Sequence, residues 1–384
     1  MKKIAMIEKI MSDFSKRTCL EKENCSPVRY LWTDAFAVCN YLELFKRTGK
    51  EKYKEEALLL VDQVHHILGK HRQDDIRTGW ISGLSDVEGE LHPTIGGLRI
   101  GKKRNERKRD EPQDERLEWE QDGQYFHYLT KWMHALNRVG DITDDPKYGR
   151  WAIELAKTAY ERFTYVTPAG ARRMVWKMSI DLSYPLVSSM GQHDPLDGYI
   201  TYLELSSTSL EYDRSSLDTE ITGLSQMAQS INWDTDDPLG IGGLLSDSAF
   251  LTQLIIFEQK KELSELLSKL LKHASKGIEL FLRADTLKYP AQYRLAFREL
   301  GLSIGLHGVK KMHSLLKKHA DAFINNTFLL SQLEELEKYL LVSELIEDFW
   351  LENENQKSST WIEHIDINSV MLATSLDPDG YLGK

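Results

Sequence analysis

The stretch YLWTDAFAVCNYLELFKRT, residues 30–48, decides the fold together with EKYKEEALLLVDQVHHILGK, residues 51–70, which follows it after Gly49. The first segment is apolar on nearly every side at helical spacing, and the second is amphipathic with one charged face. A helix that is apolar all round must be buried on all sides, whereas an amphipathic helix can show one face to solvent. The couplet therefore predicts an inner helix followed by an outer helix.

The same couplet recurs along the chain, after a first amphipathic helix predicted at 1–16. Further inner helices are predicted at 123–139, 198–210, 247–258, 291–306 and 361–375. Outer helices are predicted at 146–164, 214–231, 262–284, 308–323 and 327–350.

Six buried helices that alternate with six half-exposed helices suit an inner ring surrounded by an outer ring. We therefore predict an all-α (α/α)6 toroid of six helical hairpins, with over half of the residues helical. The toroid is one domain, 1–384, although length alone would suggest two or three domains. An open helical solenoid is the alternative, and the irregular repeat length argues against it. Strand signals are few, and RRMVWKMSI, residues 172–180, is predicted to form a short hairpin.

The composition argues against several classes of protein. Forty-nine basic and 59 acidic residues give a net charge of −10, which disfavours general nucleic-acid binding. A hydrophobic fraction of 41% with 28% charged residues is typical of a globular chain. No stretch approaches the ~20 apolar residues of a membrane span, so no membrane partner is expected. Residues 1–17 lack the apolar core of a secretory signal, which predicts a cytoplasmic location.

Neither a cofactor nor a bound metal is expected. The three cysteines, Cys19, Cys25 and Cys39, show no CxxC spacing, which argues against a disulfide scaffold and a cysteine-rich zinc site. No phosphate-binding glycine motif is present, so a nucleotide cofactor is not supported. A Ca²⁺ or Zn²⁺ site near His193 and Asp194 is the alternative that stays open. The sequence makes no prediction of the oligomeric state.

The predicted inner helices begin alike. Asp precedes a small residue, and an aromatic residue follows within one turn, in WTDAF (32–36), QDGQY (121–125), LDGY (196–199) and SDSAF (246–250). Helix capping explains any one of these aspartates, but the repetition indicates copies of one helix-pair unit. Because the inner-helix starts of a toroid converge at one end, four side chains are predicted to cluster there: Asp34, Asp122, His193 and Asp197.

The stretch 71–121 is an insertion between the first and second hairpins. Loops of this length in compact domains are usually functional or disordered. Its glycine-rich part, 79–101, is predicted to be a lid, with Trp80 for stacking and with His92 and Arg99 for polar contacts. The mixed-charge part, 102–118, is predicted to be a solvated excursion.

The whole pattern resembles a known superfamily. The seam TGKEKYKEEA, residues 48–57, and the Trp- and Asp-marked inner helices are similar to the six-hairpin glycosidase-like superfamily. Its members include unsaturated glucuronyl hydrolases, other glycosidases, and N-acylglucosamine and cellobiose 2-epimerases. The resemblance is architectural and covers nearly the whole chain. It implies an (α/α)6 toroid that acts on a small-molecule carbohydrate, although a fold alone does not fix a function.

Candidate site residues come from the inner-helix starts and the predicted lid. The predicted catalytic residues are Asp122, His193, Asp197 and His364. The predicted substrate-binding residues are Arg29, Trp32, Asp34, Trp80, His92, Arg99, Tyr125, His127, Asp194 and Tyr199.

Two mechanisms need these residue types. Glycoside hydrolysis needs two carboxylates beside the scissile bond, for which Asp122 and Asp197 are the predicted pair. Sugar 2-epimerisation needs two bases on opposite faces of one carbon, for which His193 and His364 are the predicted pair. Glycoside hydrolysis is our first interpretation. Epimerisation or isomerisation, and a non-catalytic sugar-binding or scaffold role, are the alternatives.

Overall fold

The computed structural model describes residues 2–21, 25–208 and 217–383. In it 67% of the residues are helical, which confirms the predicted all-α class. Its contacts divide the chain into two compact units. One is Ser15–Ile231, here the N-terminal unit, and the other is Met1–Phe14 with Asn232–Lys384, here the C-terminal unit. The prediction of one domain over 1–384 stays a prediction.

The helices up to residue 231 follow the predicted couplets. They are α1 (Lys2–Arg17), α2 (Leu31–Thr48), α3 (Glu51–Leu68), α4 (Asp86–Leu91), α5 (Glu115–Glu118), α6 (Phe126–Thr143), α7 (Pro146–Phe163), α8 (Asp194–Thr208) and α9 (Asp218–Gln229). Each predicted inner helix packs on its outer partner, as α2 on α3, α6 on α7 and α8 on α9. The inner helices also contact one another, α2 with α6 and α6 with α8. Residues 209–210 and 214–216 of the predicted third hairpin lie outside the described residues.

Helix α2 shows why the couplet forms. Every residue from Leu31 to Leu44 is buried, whereas α3 buries one face and exposes its charged face. Gly49 ends α2 in the left-handed conformation, at φ 68°, and its N–H donates to the Phe45 carbonyl. A residue with a Cβ is strained there, so the glycine sets the turn between the two helices.

Five short strands lie in the described part of the N-terminal unit. They are β1 (Gln124–Tyr125), β2 (Thr164–Val166), β3 (Arg172–Met174), β4 (Lys177–Met178) and β5 (Pro185–Val187). The prediction of one hairpin within 172–180 is wrong, because its two halves pair in separate antiparallel sheets. Strand β3 pairs with β2, and β4 lies between β1 and β5. The β1–β4 pairing brings the loop around Trp176 to the start of α6.

The described part of the C-terminal unit contains helices and no strand. Its helices are α10 (Pro238–Phe257), α11 (Ser264–Arg283), α12 (Ala296–Lys318), α13 (Asn326–Glu337), α14 (Leu340–Leu351), α15 (Ser359–Glu363), α16 (Ile365–Leu376) and α17 (Asp379–Leu382). Single-turn 3₁₀ segments join several of them.

Two of the predicted helix boundaries in this unit are wrong. The stretches 291–306 and 308–323 were separate helices in the sequence prediction, but α12 runs unbroken across both. The glycines of α12 do not end the helix but allow it to pack closely on α10. A Cβ on Gly305 would lie only 2.7 Å from the Gly242 carbonyl of α10. Conversely, the single helix predicted at 327–350 is two helices, α13 and α14.

The SDSAF segment is a third correction. Helix α10 begins nine residues before the predicted start, because Asp237 caps it by accepting a 2.9 Å bond from the Gly240 N–H. Asp247 therefore lies in mid-helix, buried, and does not mark a helix start. Helix α10 also corrects the statement that no stretch is as long and apolar as a membrane span, because it meets both criteria. However, 78% of its most apolar window is buried within the protein, as in many core helices.

Candidate functional site

Aromatic side chains gather where α2, α6 and α8 begin. The set, called the aromatic cluster below, consists of Tyr30, Trp32, Tyr125, His127, Tyr128 and Trp176. The Trp32 ring lies 5.3 Å from that of Tyr128 and 6.1 Å from that of His127, between ring centres. Tyr125 stacks on His127 at 5.5 Å, and the hydroxyls of Tyr30 and Tyr128 share a 2.7 Å hydrogen bond. Helices α2 and α6 thus present one continuous aromatic surface at their N-terminal ends.

Asp194 faces this cluster from the first turn of α8. Its Oδ1 lies 3.5 Å from Nδ1 of His127. Its Oδ2 and the His127 Nδ1 are both buried, and neither has a hydrogen-bond partner among the described residues. Gly191 makes room for the carboxylate, since a Cβ there would lie 2.5 Å from it. Because buried polar atoms are normally paired, these two atoms are candidates to receive a ligand.

Asp197 lies one helical turn further along α8. Its two oxygens accept 2.5 Å bonds from Lys131 Nζ and Thr130 Oγ1, both on α6. Lys131 and Asp197 thus form an ion pair of mostly buried side chains. Since residues i and i+3 of a helix have Cβ atoms about 5–6 Å apart, Asp194 and Asp197 offer two neighbouring carboxylates on one face.

A second ion pair, between His134 and Glu204, also joins α6 to α8. His134 Nδ1 lies 2.9 Å from Oε2 of Glu204, and both side chains are buried. Burial alone would lower the pKa of His134, but the Glu204 carboxylate and the Cys39 thiol raise it to about 10. The imidazole is therefore held protonated as a buried ion pair.

Asp122, a predicted catalytic residue, is fully buried and carries four hydrogen bonds. Arg72 and Arg99 donate to Oδ2 at 3.2 and 2.9 Å, and the backbone N–H groups of Gly101 and Lys102 donate to Oδ1 at 2.9 and 3.2 Å. These contacts tie the insertion to the start of α6. They favour a structural role for Asp122, while its catalytic role stays a prediction.

Arg29 and Asp34 form a second buried pair, at the start of α2. Arg29 lies 3.3 Å from Asp34 Oδ1 and donates to the Thr18 carbonyl at 2.5 Å. The Tyr30 N–H donates to Asp34 Oδ2 at 2.9 Å, so Asp34 is linked to the aromatic cluster through Tyr30. Asp34 lies inside the first turn of α2 and is not its N-cap, which is Tyr30. The substrate-binding roles of both residues stay predictions.

The predicted lid, 79–101, packs on the sides of α3 and α7. Trp80 is 2% exposed, and Lys70 Nζ lies 4.4 Å from the centre of its ring in a cation–π contact. His92 Nδ1 lies 2.7 Å from Glu154 of α7, and Arg99 donates to the Ile67 carbonyl of α3 as well as to Asp122. The segment is therefore fixed by buried contacts, and its movement as a lid stays a prediction.

The mixed-charge part of the insertion, 102–118, is exposed along most of its length. Every residue from 108 to 117 is exposed, as expected for a solvated excursion. The two ends of the segment are different, because they enter partly buried ion pairs. Glu118 is 3% exposed and lies 2.9 Å from Lys177 Nζ and 3.1 Å from Arg107 Nε. Glu106 pairs with Arg77, which precedes the segment.

Comparisons by sequence give no assignment, since no protein-family model and no curated protein matches the chain. Comparisons by structure identify proteins with a similar fold. An inactive variant of the α-1,6-mannanase GH76A of Salegentibacter sp. HEL1_6, in complex with α-1,6-mannotriose, is 11% identical, with 97% of this chain and 98% of the mannanase covered at a TM-score of 0.55. A sugar epimerase from a ruminal bacterium is also 11% identical, with coverage of 97% and 98% and a TM-score of 0.53. A D-mannose isomerase is 13% identical, with coverage of 97% and 96% and a TM-score of 0.51.

The chain has the six-hairpin glycosidase-like fold. This confirms the resemblance drawn from the sequence and the predicted (α/α)6 class. At these identities the likeness extends to the fold and does not assign an activity.

Two predicted site residues of this six-hairpin chain have separate surroundings. His193 directly precedes α8, and its carbonyl accepts from the N–H groups of Leu196 and Asp197. His364 belongs to the C-terminal unit, where it joins α15 to α16 with its ring 5.6 Å from that of Phe297. The pairing of the two histidines stays a prediction. Tyr199, on the first turns of α8, is half-buried, and its role also stays a prediction.

Sequence reasoning missed Tyr128 and Trp176 of the aromatic cluster, and it missed Lys131, which pairs with Asp197. Lys131 carried a usable signal, because it lies four residues after His127 and so shares its helical face. Trp176 carried none, since it reaches α6 only through the β1–β4 pairing. In the described ranges no group of three or more His, Cys, Asp or Glu is placed to hold a metal ion.

Proposed function

We propose that this chain is a carbohydrate-active enzyme, and that it hydrolyses glycosidic bonds with Asp194 and Asp197 as its two carboxylates. The observation that carries the proposal is their placement one turn apart on α8, opposite His127 and Lys131 of α6. Two carboxylates beside one bond are what most glycoside hydrolases require. The sequence-predicted partner, Asp122, is the reserve, because its oxygens are occupied by four donors.

The two carboxylates have different surroundings and so suit different roles. Asp194, beside His127, is placed to give a proton to the leaving oxygen and to regain it from water. Asp197, held by Lys131 and Thr130, is placed to act on the anomeric carbon or on a water. The aromatic cluster beside them suits a sugar, since Trp and Tyr combine an apolar ring with a polar edge.

The structural relatives support the same substrate class. They are described as a mannanase, a sugar epimerase and a D-mannose isomerase, all of which act on carbohydrates. The mannanase is inactive with two adjacent aspartates replaced by asparagine, and it is in complex with an oligosaccharide. A pair of aspartates close together in sequence is therefore compatible with glycoside hydrolysis on this fold.

A sugar 2-epimerase or isomerase is the second candidate, favoured by the two relatives with such activities. It would use His193 and His364 as bases on opposite faces of the carbon that loses its proton. A non-catalytic sugar-binding protein is the third candidate.

One experiment separates the three candidates. The protein is incubated in deuterated water with a panel of mono- and disaccharides, and products are followed by NMR. New reducing ends without deuterium at C2 support hydrolysis, and loss of this activity in Asp194→Asn and Asp197→Asn ties it to α8. Deuterium at C2, lost in His193→Gln and His364→Gln, supports epimerisation instead. Binding without either product supports the non-catalytic role and overturns the proposal.

The cytoplasmic location predicted from the sequence stays a prediction with its own test, because one structural feature is unusual for that compartment. Cys19 and Cys25 are joined as a disulfide, and Cys39 is free and buried. Disulfides persist in oxidising compartments and are rare in the cytoplasm. Thiol labelling of acid-quenched native cells should therefore count three thiols in the chain for a cytoplasmic protein. A count of one would place it in an oxidising compartment.

A further inference from the structure

Two tryptophans extend the aromatic cluster to the protein surface. The Trp119 ring lies 5.3 Å from the Trp176 ring, at an interplanar angle of 38°. Trp119 is 58% exposed, and Trp176 is half-buried. Trp176 in turn lies 5.0 Å from Tyr125 and stacks on His127 at 6.5 Å. The two indoles therefore continue the surface that ends at His127 and Asp194.

Both indoles are held in place by the structure around them. Trp119 ends α5, whose Glu118 is anchored by the Lys177 and Arg107 ion pairs. The Trp176 indole N–H donates to Ser189 Oγ at 3.1 Å, and its carbonyl accepts from the Phe126 N–H at 3.2 Å. A binding surface that is ordered before the ligand arrives loses less conformational entropy on binding.

Scattered exposed apolar side chains are ordinary, so exposure of Trp119 alone means little. Three features distinguish this pair: the indoles come from separate loops, their rings lie against each other at a tilt of 38°, and they are continuous with the candidate carboxylates. Polar groups also accompany them, namely Ser189, which accepts from Trp176, and Glu120, which follows Trp119 in the chain and pairs with Arg104 at 3.0 Å. Flat apolar faces with hydrogen-bonding groups at the rim fit the C–H face and the hydroxyls of a pyranose ring.

We infer that Trp119 and Trp176 form a second sugar-binding subsite, which holds a sugar unit next to the one at Asp194. The inference rests on the proposed function and deepens it, since it makes oligosaccharides the substrate class in place of monosaccharides. A second copy of the chain docking on the exposed indoles is the competing occupant.

The test uses Trp119→Ala, because the exposed ring can be removed with little loss of packing. Trp119→Phe keeps an aromatic face, and Tyr165→Ala removes an exposed ring elsewhere in the same unit, where Tyr165 is 46% exposed. Rates are measured on α-1,6-mannotriose, cellotriose and xylotriose, and on the matching glycosyl fluorides, which have no second sugar. We expect Trp119→Ala to raise KM for the trisaccharide about tenfold, with Trp119→Phe largely restoring it. The rate on the fluoride should stay unchanged in every one of these variants.

A binding measurement keeps this inference distinct from the proposed function. Titration calorimetry with the same three trisaccharides is done on Asp194→Asn, with and without Trp119→Ala. Weaker binding in the double variant supports the subsite even if no glycoside is hydrolysed. Equal binding in both, or no binding of any of the three by Asp194→Asn, overturns it. A Trp119-dependent dimer in sedimentation without sugar binding also overturns it in favour of the second copy.

Discussion

The Nδ1 atom of His127 lies 3.5 Å from Oδ1 of Asp194, and no described residue makes a hydrogen bond to that nitrogen. The separation is longer than a good N–H···O bond and leaves room for adjustment when a hydroxyl or a water arrives. Catalytic contacts often tighten only when the substrate is bound. The pair therefore has the geometry of a general acid or base before the substrate binds. Its two helices, α6 and α8, also carry Lys131 and Asp197.

The first prediction concerns Asp194. The Asp194→Asn variant keeps the shape of the side chain but can neither give a proton nor carry the charge, so kcat should fall by about 10²–10⁴. The unfolding midpoint should change little, because Oδ2 has no hydrogen-bond partner among the described residues. Kinetics and thermal unfolding on the same preparation check both. Asp110→Asn, on the exposed part of the insertion, is the matched control, and equal activity in both variants would remove Asp194 from the mechanism.

The second prediction concerns Asp122, for which the structure and the sequence point to different roles. Asp122→Asn leaves Arg72 and Arg99 facing a neutral amide in a buried site. Breaking a buried ion pair on one side costs about 3–5 kcal/mol, so the variant should be markedly less stable in urea unfolding. Any folded fraction should keep most of its kcat. A stable variant with no activity would instead restore Asp122 as the catalytic carboxylate predicted from sequence.

The fold was largely predictable because burial leaves a direct trace in the sequence. Helix α2 had to be apolar on all sides to be an inner helix, and its boundaries differ from the prediction by one residue at the start. The errors arose where one residue type serves two purposes. Glycine ends α2, yet it allows close packing within α12, and local sequence does not distinguish the two uses.

The site was less predictable because contacts between helices decide it. Asp122, Asp194 and Asp197 look equivalent in sequence, since each is an aspartate near a helix start. Their partners differ: two arginines for Asp122, a histidine for Asp194 and a lysine for Asp197. Those partners lie up to 67 residues away in the chain, and no local sequence pattern predicts them.

The third prediction distinguishes a lid from a structural element in 79–101. Trp80 is 2% exposed, and a Cβ on Gly89 would lie 2.2 Å from its ring. Trp80→Ala should therefore lower the free energy of unfolding by about 3–5 kcal/mol, with KM of the folded enzyme unchanged. Val87→Ala, at an exposed position of α4, is the control for the segment. A raised KM with unchanged stability would show that Trp80 meets the substrate, as a lid residue should.

The last prediction concerns the buried pair of His134 and Glu204. Because the pKa of His134 rises from its ordinary value of 6.5 to about 10 on folding, the folded state holds this proton more tightly than the unfolded state. The stabilisation is fully present below pH 6.5 and is lost as the pH rises through about 10. The free energy of unfolding, measured in urea between pH 6.5 and 10, should therefore fall with pH.

The double variant His134→Gln with Glu204→Gln removes both charges and should reduce this slope, since the pair then has no proton to give up. It also avoids the unpaired, buried Glu204 carboxylate that His134→Gln alone would leave in the core. His319→Gln, on the half-exposed end of α12, should leave the slope as it is. If the double variant keeps the wild-type slope, another group carries the pH dependence, and the ion pair between α6 and α8 is not its source.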